Sequence, residues 1–207
     1  MKFERGVLAI GCVLLLAGCT TSGNPTGSPA APSAATPSQA PLELWPLPGD
    51  PMGLARAAGL EPLTSESLEY HAHAHLDVFM DGRPVLVPGG IGIDIDDPAV
   101  KRFDDPAGVG YGGIVEPCAD PCISPLHTHD PDGVIHTESP TPTPNTLGQF
   151  LIEWNVTLPD DAKVYVNGEL YTGNVAEIEL NDVLQIAIVM GEPPAVIPSE
   201  FPAGLRL

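Results

Sequence analysis

Basic side chains are what this chain has least of. Its 207 residues carry 8 Lys and Arg against 27 Asp and Glu, a formal net charge of −19. A surface of that sign repels phosphate backbones and anionic headgroups, which excludes nucleic acid as a partner. Long apolar runs are also missing. The stretch from Val7 to Leu16 is too short to span a bilayer. No nucleophile triad, phosphate-cradling glycine loop or carboxylate dyad stands out. Cysteine is sparse, with 4 in all, and histidine is no more than 6 residues, yet the histidines fall in two tight groups.

The chain begins with an address. Lys2 and Arg5 precede the apolar run, which ends in Leu16-Ala17-Gly18-Cys19. That tetrapeptide resembles the lipobox of bacterial and archaeal lipoproteins, which implies cleavage before Cys19 and acylation of its thiol; the plainer alternative is an ordinary secretory signal. Residues 1–18 are read as the signal. Residues 19–49 are read as an acylated Cys and a Pro/Ser/Thr/Ala tether that cannot bury enough surface to offset its chain entropy. About thirty such residues span roughly 30 Å, enough to lift a domain off a membrane. The expected location is the cell envelope, outside the cytoplasm, and residues 50–207 are expected to form one His-rich domain.

With Cys12 in the signal and Cys19 acylated, Cys118 and Cys122 remain. An even pair in an exported domain points to a disulfide. The alternative is a thiolate site, because Cys-x-x-x-Cys with a distant His resembles Sco-type copper chaperones; the βαβ frame of those proteins is not evident around Cys118.

The element signals give an α+β domain, mostly β, with one short helix packed on a sheet. Asp50-Pro51 is an N-cap followed by Pro at the first helical position, with Gly59 as the stop. Tyr70 to Phe79 alternates as a strand, Asp81-Gly82 turns it, and 84–93 is expected to return. Residues 94–117 are rich in Gly, Asp and Pro and read as a long loop over the site. Thr146 and Gln149 form a capping box before Phe150, Leu151 and Trp154. Strands are expected over 163–166 and around Ile178 and Leu180, with a central apolar strand over 184–190. From Ile123 to Gly191, the steps Val166-Asn167-Gly168 and Leu180-Asn181-Asp182-Val183 resemble the β-grasp (ubiquitin-like) order. The function of that class is not implied, since an exposed Gly-Gly tail is missing from Gly204-Leu205-Arg206-Leu207. The whole also resembles an uncharacterised bacterial lipoprotein family with His-x-His-x-His and His-Thr-His motifs, a resemblance that implies no activity.

Chemistry is concentrated in Tyr70-His71-Ala72-His73-Ala74-His75-Leu76-Asp77 and in His127-Thr128-His129 with His136. On a strand, His71, His73, His75 and Asp77 share one face, while Ala72, Ala74, Leu76 and Val78 form the core face. Fold stability alone gives no reason to line up imidazoles. Residues i and i+2 lie roughly 6.6 Å apart and can converge on one ion, whereas i and i+4 cannot. The economical site takes one pair from each group, His73 and His75 with His127 and His129. His71 and His136 then form a second site or replacement ligands. A two-residue loop at Pro131-Asp132 would set His127 opposite His136; a three-residue loop would turn His136 away. Asp77, Asp130 and Glu138 are expected to accept from imidazole N–H groups. Imidazole suits several ions; export, and the lack of a Glu base beside a His pair, favours copper, with zinc next. The expected role is capture, buffering or delivery of metal, with a metal-exchange partner protein. The alternatives are a metal-dependent enzyme using Asp77, Asp130 or Glu138, and a structural module with a solvated His face.

Overall fold

A computed structural model describes residues 40–114 and 116–205. The signal, Cys19 and most of the tether lie outside them. The domain is α+β and mostly strand.

Helix α1, Pro51–Ala57, starts where Asp50 Oδ1 accepts from the Gly53 N–H at 3.0 Å, with Pro51 at the first helical position. The central strand β1, Tyr70–Met80, turns through Asp81 and Gly82 into β2, Arg83–Val85. Both turn residues have positive φ, 49° and 74°, as a two-residue hairpin turn requires. Strands β3, Lys101–Asp105, and β4, Gly108–Gly112, form a separate hairpin. Then come β5, Leu126–His127, and β6, Val134–Ser139. Helix α2, Leu147–Glu153, opens with a complete capping box between Thr146 and Gln149. Strands β7, Lys163–Val166, β8, Glu169–Leu170, and β9, Leu184–Met190, finish the sheet.

Among the described residues, the main sheet runs β5-β6-β1-β9-β7-β8, with β2 also on β1. Strand β1 pairs antiparallel with β6 and parallel with β9. The alternation in β1 divides the sheet into two chemical faces. Ala74, Leu76 and Val78 join Leu126, Ile135, Ile186 and Ile188 in one apolar core. Helix α2 covers that face with Leu147, Phe150, Leu151 and Trp154, all buried, the i, i+3, i+4, i+7 stripe of an amphipathic helix. The opposite face carries the histidines.

Four expectations change. The returning strand stops at Val85, and Pro88, Gly89 and Gly90 carry the chain off the sheet edge. The loop expected over 94–117 contains the β3–β4 hairpin, whose Asp- and Gly-rich sequence hides its strands. Ile178 and Leu180 follow a 3-10 turn and bond backbone at Leu147 and Asn145 near the start of α2, outside the sheet ladder. The final part of the expected tether is docked. Leu42 bridges to Val85, and the ring of Trp45 lies 5.5 Å from that of Trp154, whose Nε1–H donates to the Trp45 carbonyl. Leu42, Trp45 and Leu47 have the apolar area to anchor this segment on the core.

Candidate metal centre

Cross-strand register assembles the histidines. In β6, His136 stands opposite His127 of β5 on one side and His73 of β1 on the other; Glu138 stands opposite His71. Directly opposed residues share a face, so three strands present a row of imidazoles with a carboxylate beside it. The His127–His136 pairing is the one expected from a two-residue loop at Pro131-Asp132. Gly133 then turns the chain toward β1: its φ is 84°, and a Cβ there would meet the Leu76 carbonyl oxygen at 2.5 Å. Only glycine fits that approach without strain.

His136 is the hub. Its ring centroid lies 4.6 Å from His129, 4.7 Å from His73 and 5.5 Å from His127. Two groups have ligand atoms mutually within 4.8 Å: His127, His129, His136 and Glu138; and His71, His73 and His136. These clusters could hold a metal ion. His73 therefore joins the set built on His136, and His75 joins neither. The expected four-nitrogen set of His73, His75, His127 and His129 is not the grouping the sheet makes.

The reason His75 stands apart is in its partners. Its Nδ1 lies 2.9 Å from Gln185 Oε1, and its Nε2 lies 2.9 Å from the Asp132 carbonyl. The Gln185 amide nitrogen donates to Asp77 and to the Ile186 carbonyl, so Oε1 is an acceptor. Both His75 nitrogens therefore face acceptors, and Asp77 Oδ2 is 3.4 Å away. Burial opposes a charge on this ring, but the Asp77 carboxylate and these acceptors outweigh it and raise the pKa above 6.5. A ring whose two nitrogens both face acceptors turns no lone pair toward an ion.

His127 and His129 are arranged in the opposite way. Nδ1 of His127 is 2.9 Å from the Ser124 carbonyl, and Nδ1 of His129 is 2.7 Å from the Tyr111 carbonyl. A carbonyl only accepts, so each Nδ1 carries a proton and, in the neutral ring, each Nε2 presents a lone pair. Those two Nε2 atoms face each other at 3.1 Å. Burial, followed by the neighbouring His129, holds the His127 pKa well below 6.5. Burial, then His129, His73 and His71, pushes His136 down to about 2. The buried rings stay neutral, as ligands must be.

Glu138 is more than an outer acceptor. It is buried, its Oε1 is 3.2 Å from His71 Nε2 and 3.5 Å from His136 Nδ1, and its Oε2 has no protein partner. Asp77 serves His75, as described, and Asp130 lines a hollow of about 280 Å³ that opens onto His129 and His136. Glu66, which sequence spacing does not single out, lines the same hollow, with Oε1 4.0 Å from His129 Nε2. Asp182 is a second unexpected partner: it accepts from the His73 backbone N–H at 3.0 Å and lies 3.7 Å from His73 Nδ1. Its neighbour Val183 has φ 55°, a strained value for a β-branched residue, and donates to the His73 carbonyl at 2.7 Å. The Asn181-Asp182 turn signal marked this place but not its contact with β1.

The surrounding loops fix these side chains. Cys118 and Cys122 are disulfide-bonded, and the backbone beside them is tied to Leu63 and Thr64. Ser124, which holds His127, follows directly. The β3–β4 hairpin lies against His129: Tyr111 donates its N–H to the His129 carbonyl at 2.9 Å, and a Cβ at Gly112 would lie 2.6 Å from His129 Nδ1. No helix among the described residues is long and apolar enough to cross a membrane. The chain matches no family model, no curated protein and no solved structure.

Proposed function

We propose that this protein binds a divalent transition metal ion through His127, His129, His136 and Glu138, and captures, buffers or delivers it outside the cytoplasm while anchored to a membrane through acylated Cys19. One observation carries the metal reading. The two Nε2 atoms face each other at 3.1 Å, each on a ring whose Nδ1 is held by a carbonyl on the far side. Two ligands of a tetrahedral ion with bonds of about 2.05 Å are separated by about 3.3 Å, so the pair is already at coordination spacing. The outer carbonyls fix ring orientation and tautomer, as the outer partners of metal-bound histidines do.

Three nitrogens and one carboxylate oxygen suit zinc and cupric ion alike. Glu138, with Oε1 3.5 Å from His136 Nδ1, is a carboxylate beside the histidines and removes one ground for copper. Zinc stands level with copper. The membrane anchor is supported by Leu16-Ala17-Gly18-Cys19 behind a charged start. An exchange partner is the corollary of delivery. A hydrolytic reading has one observation in its favour, the Glu66 carboxylate at the open side of His129, where a metal-bound water would need a base.

The test is the metal content of the full chain purified without added metal, followed by titration with Zn(II) and Cu(II). The expected result is tight binding that His127→Ala and His129→Ala each weaken at least tenfold. Binding unchanged in both variants removes this site.

A further inference from the structure

The first site leaves His71 and His73 unused. Their rings are 4.4 Å apart, and the His73 ring is 4.7 Å from His136. His73 is set up as a ligand in the same manner as His127. Its Nδ1 faces the Asp182 carboxylate at 3.7 Å, and its Nε2 is buried with no hydrogen-bond partner in the protein. The backbone around it is held on both sides, by Asp182 to its N–H and by Val183 to its carbonyl. An unpaired buried imidazole nitrogen is destabilising, and fold stability gives no return for it.

One ion cannot use all of these groups. Ligands on opposite sides of an ion with bonds of about 2.1 Å lie about 4.2 Å apart at most. His71 and His73 fall in a separate set from His127 and His129, and the two sets meet only at His136. Glu138 also lies between them: one oxygen is 3.2 Å from His71, and the other is buried and unpartnered. A carboxylate in that position joins two cations with one oxygen each.

We infer that His71 and His73 hold a second metal ion, joined through Glu138 to the ion on His127, His129 and His136, so that the protein carries a two-ion centre. This rests on the metal reading above. The two positions differ in access. His127 is wholly buried, whereas the His71 side chain is 35% exposed. The outer ion on β1 therefore exchanges with solution or with a receiving protein faster than the inner one.

Equilibrium dialysis of the full chain in detergent against Zn(II), read by mass spectrometry, should give two ions per chain. The double variant His71→Ala/His73→Ala should give one, with the affinity of the remaining ion changed less than about tenfold. Any count other than two in the wild type, or other than one in the folded double variant, overturns the second position. A wild-type count of zero overturns the first site as well, whereas a count of one in both proteins leaves the first site standing. Crystals of the wild type grown with Co(II) decide the matter without a variant. Two anomalous peaks about 3.5–4 Å apart, one beside His73 and one beside His127, are expected; a single peak defeats the inference.

Discussion

His75 and His136 stand on the same face of the sheet and differ in what their ring nitrogens meet. His75 has an acceptor at each nitrogen and a carboxylate beside it, so both nitrogens are engaged within the protein and its role is structural. His136 is surrounded by other imidazoles, and Nδ1 has no hydrogen-bond partner. Alternation in the sequence is enough to place His75 on that face, while the direction of His136 depends on the length of the loop at Pro131-Asp132. Alternation could not separate their roles, because the residues that decide, Gln185 and Asp132, lie 110 and 57 positions away in the chain. Glu66 and Asp182 were hidden for the same reason. His75→Ala should therefore lower stability by about 1–3 kcal/mol, since it leaves Gln185 Oε1, the Asp132 carbonyl and Asp77 without their partner. The metal stoichiometry of the folded variant should stay at the wild-type value. Chemical denaturation and dialysis on the same sample check both halves, and lost metal with unchanged stability would reverse the assignment.

Elements were more legible than their pairing. The Asp81-Gly82 and Asn167-Gly168 turns, the Asp50 cap and the Thr146 capping box all depend on residues within a few positions, and each forms as expected. What was not legible is that β1 inserts between β6 and β9. That placement puts His73 beside His136 and replaces the expected His73/His75 pairing. The β3–β4 hairpin was missed because its strands carry Asp and Gly instead of β-branched alternation. Because α2 lies on the core face and the histidines on the other, the two should respond independently. Thr146→Ala removes the side-chain acceptor of the Gln149 N–H and should cost about 1 kcal/mol. Metal affinity should change less than about twofold, as measured by titration calorimetry beside thermal unfolding. A large loss of affinity would mean that the faces are coupled through the sheet.

At the scale of the whole molecule, buried titratable groups on both faces set the range of pH in which the fold holds. Glu153, the last residue of α2, is fully buried, and neither carboxyl oxygen has a hydrogen-bond partner. Burial raises its pKa from 4.5 to about 8, although nearby Ser124 opposes the shift. The folded state therefore keeps a proton that the unfolded chain releases above 4.5. Its contribution is fully present below 4.5 and is lost as pH rises through about 8, with a slope of at most about 1.4 kcal/mol per pH unit. His136 acts in the other direction. Its folded value is about 2 against 6.5 unfolded, so the metal-free protein loses stability as pH falls below 6.5. Stability of the metal-free protein should pass through a maximum between these limits. Glu153→Gln keeps the shape of the side chain and removes the proton. It should flatten the alkaline limb, so that the variant gains on the wild type from pH 5 to pH 8 by a few kcal/mol, while the acid limb set by the histidines remains. Denaturant unfolding of both metal-free proteins at half-unit pH steps measures the two limbs separately. Parallel curves would show that Glu153 is ionised in the folded state and that its surroundings are more polar than the core contacts of α2 imply.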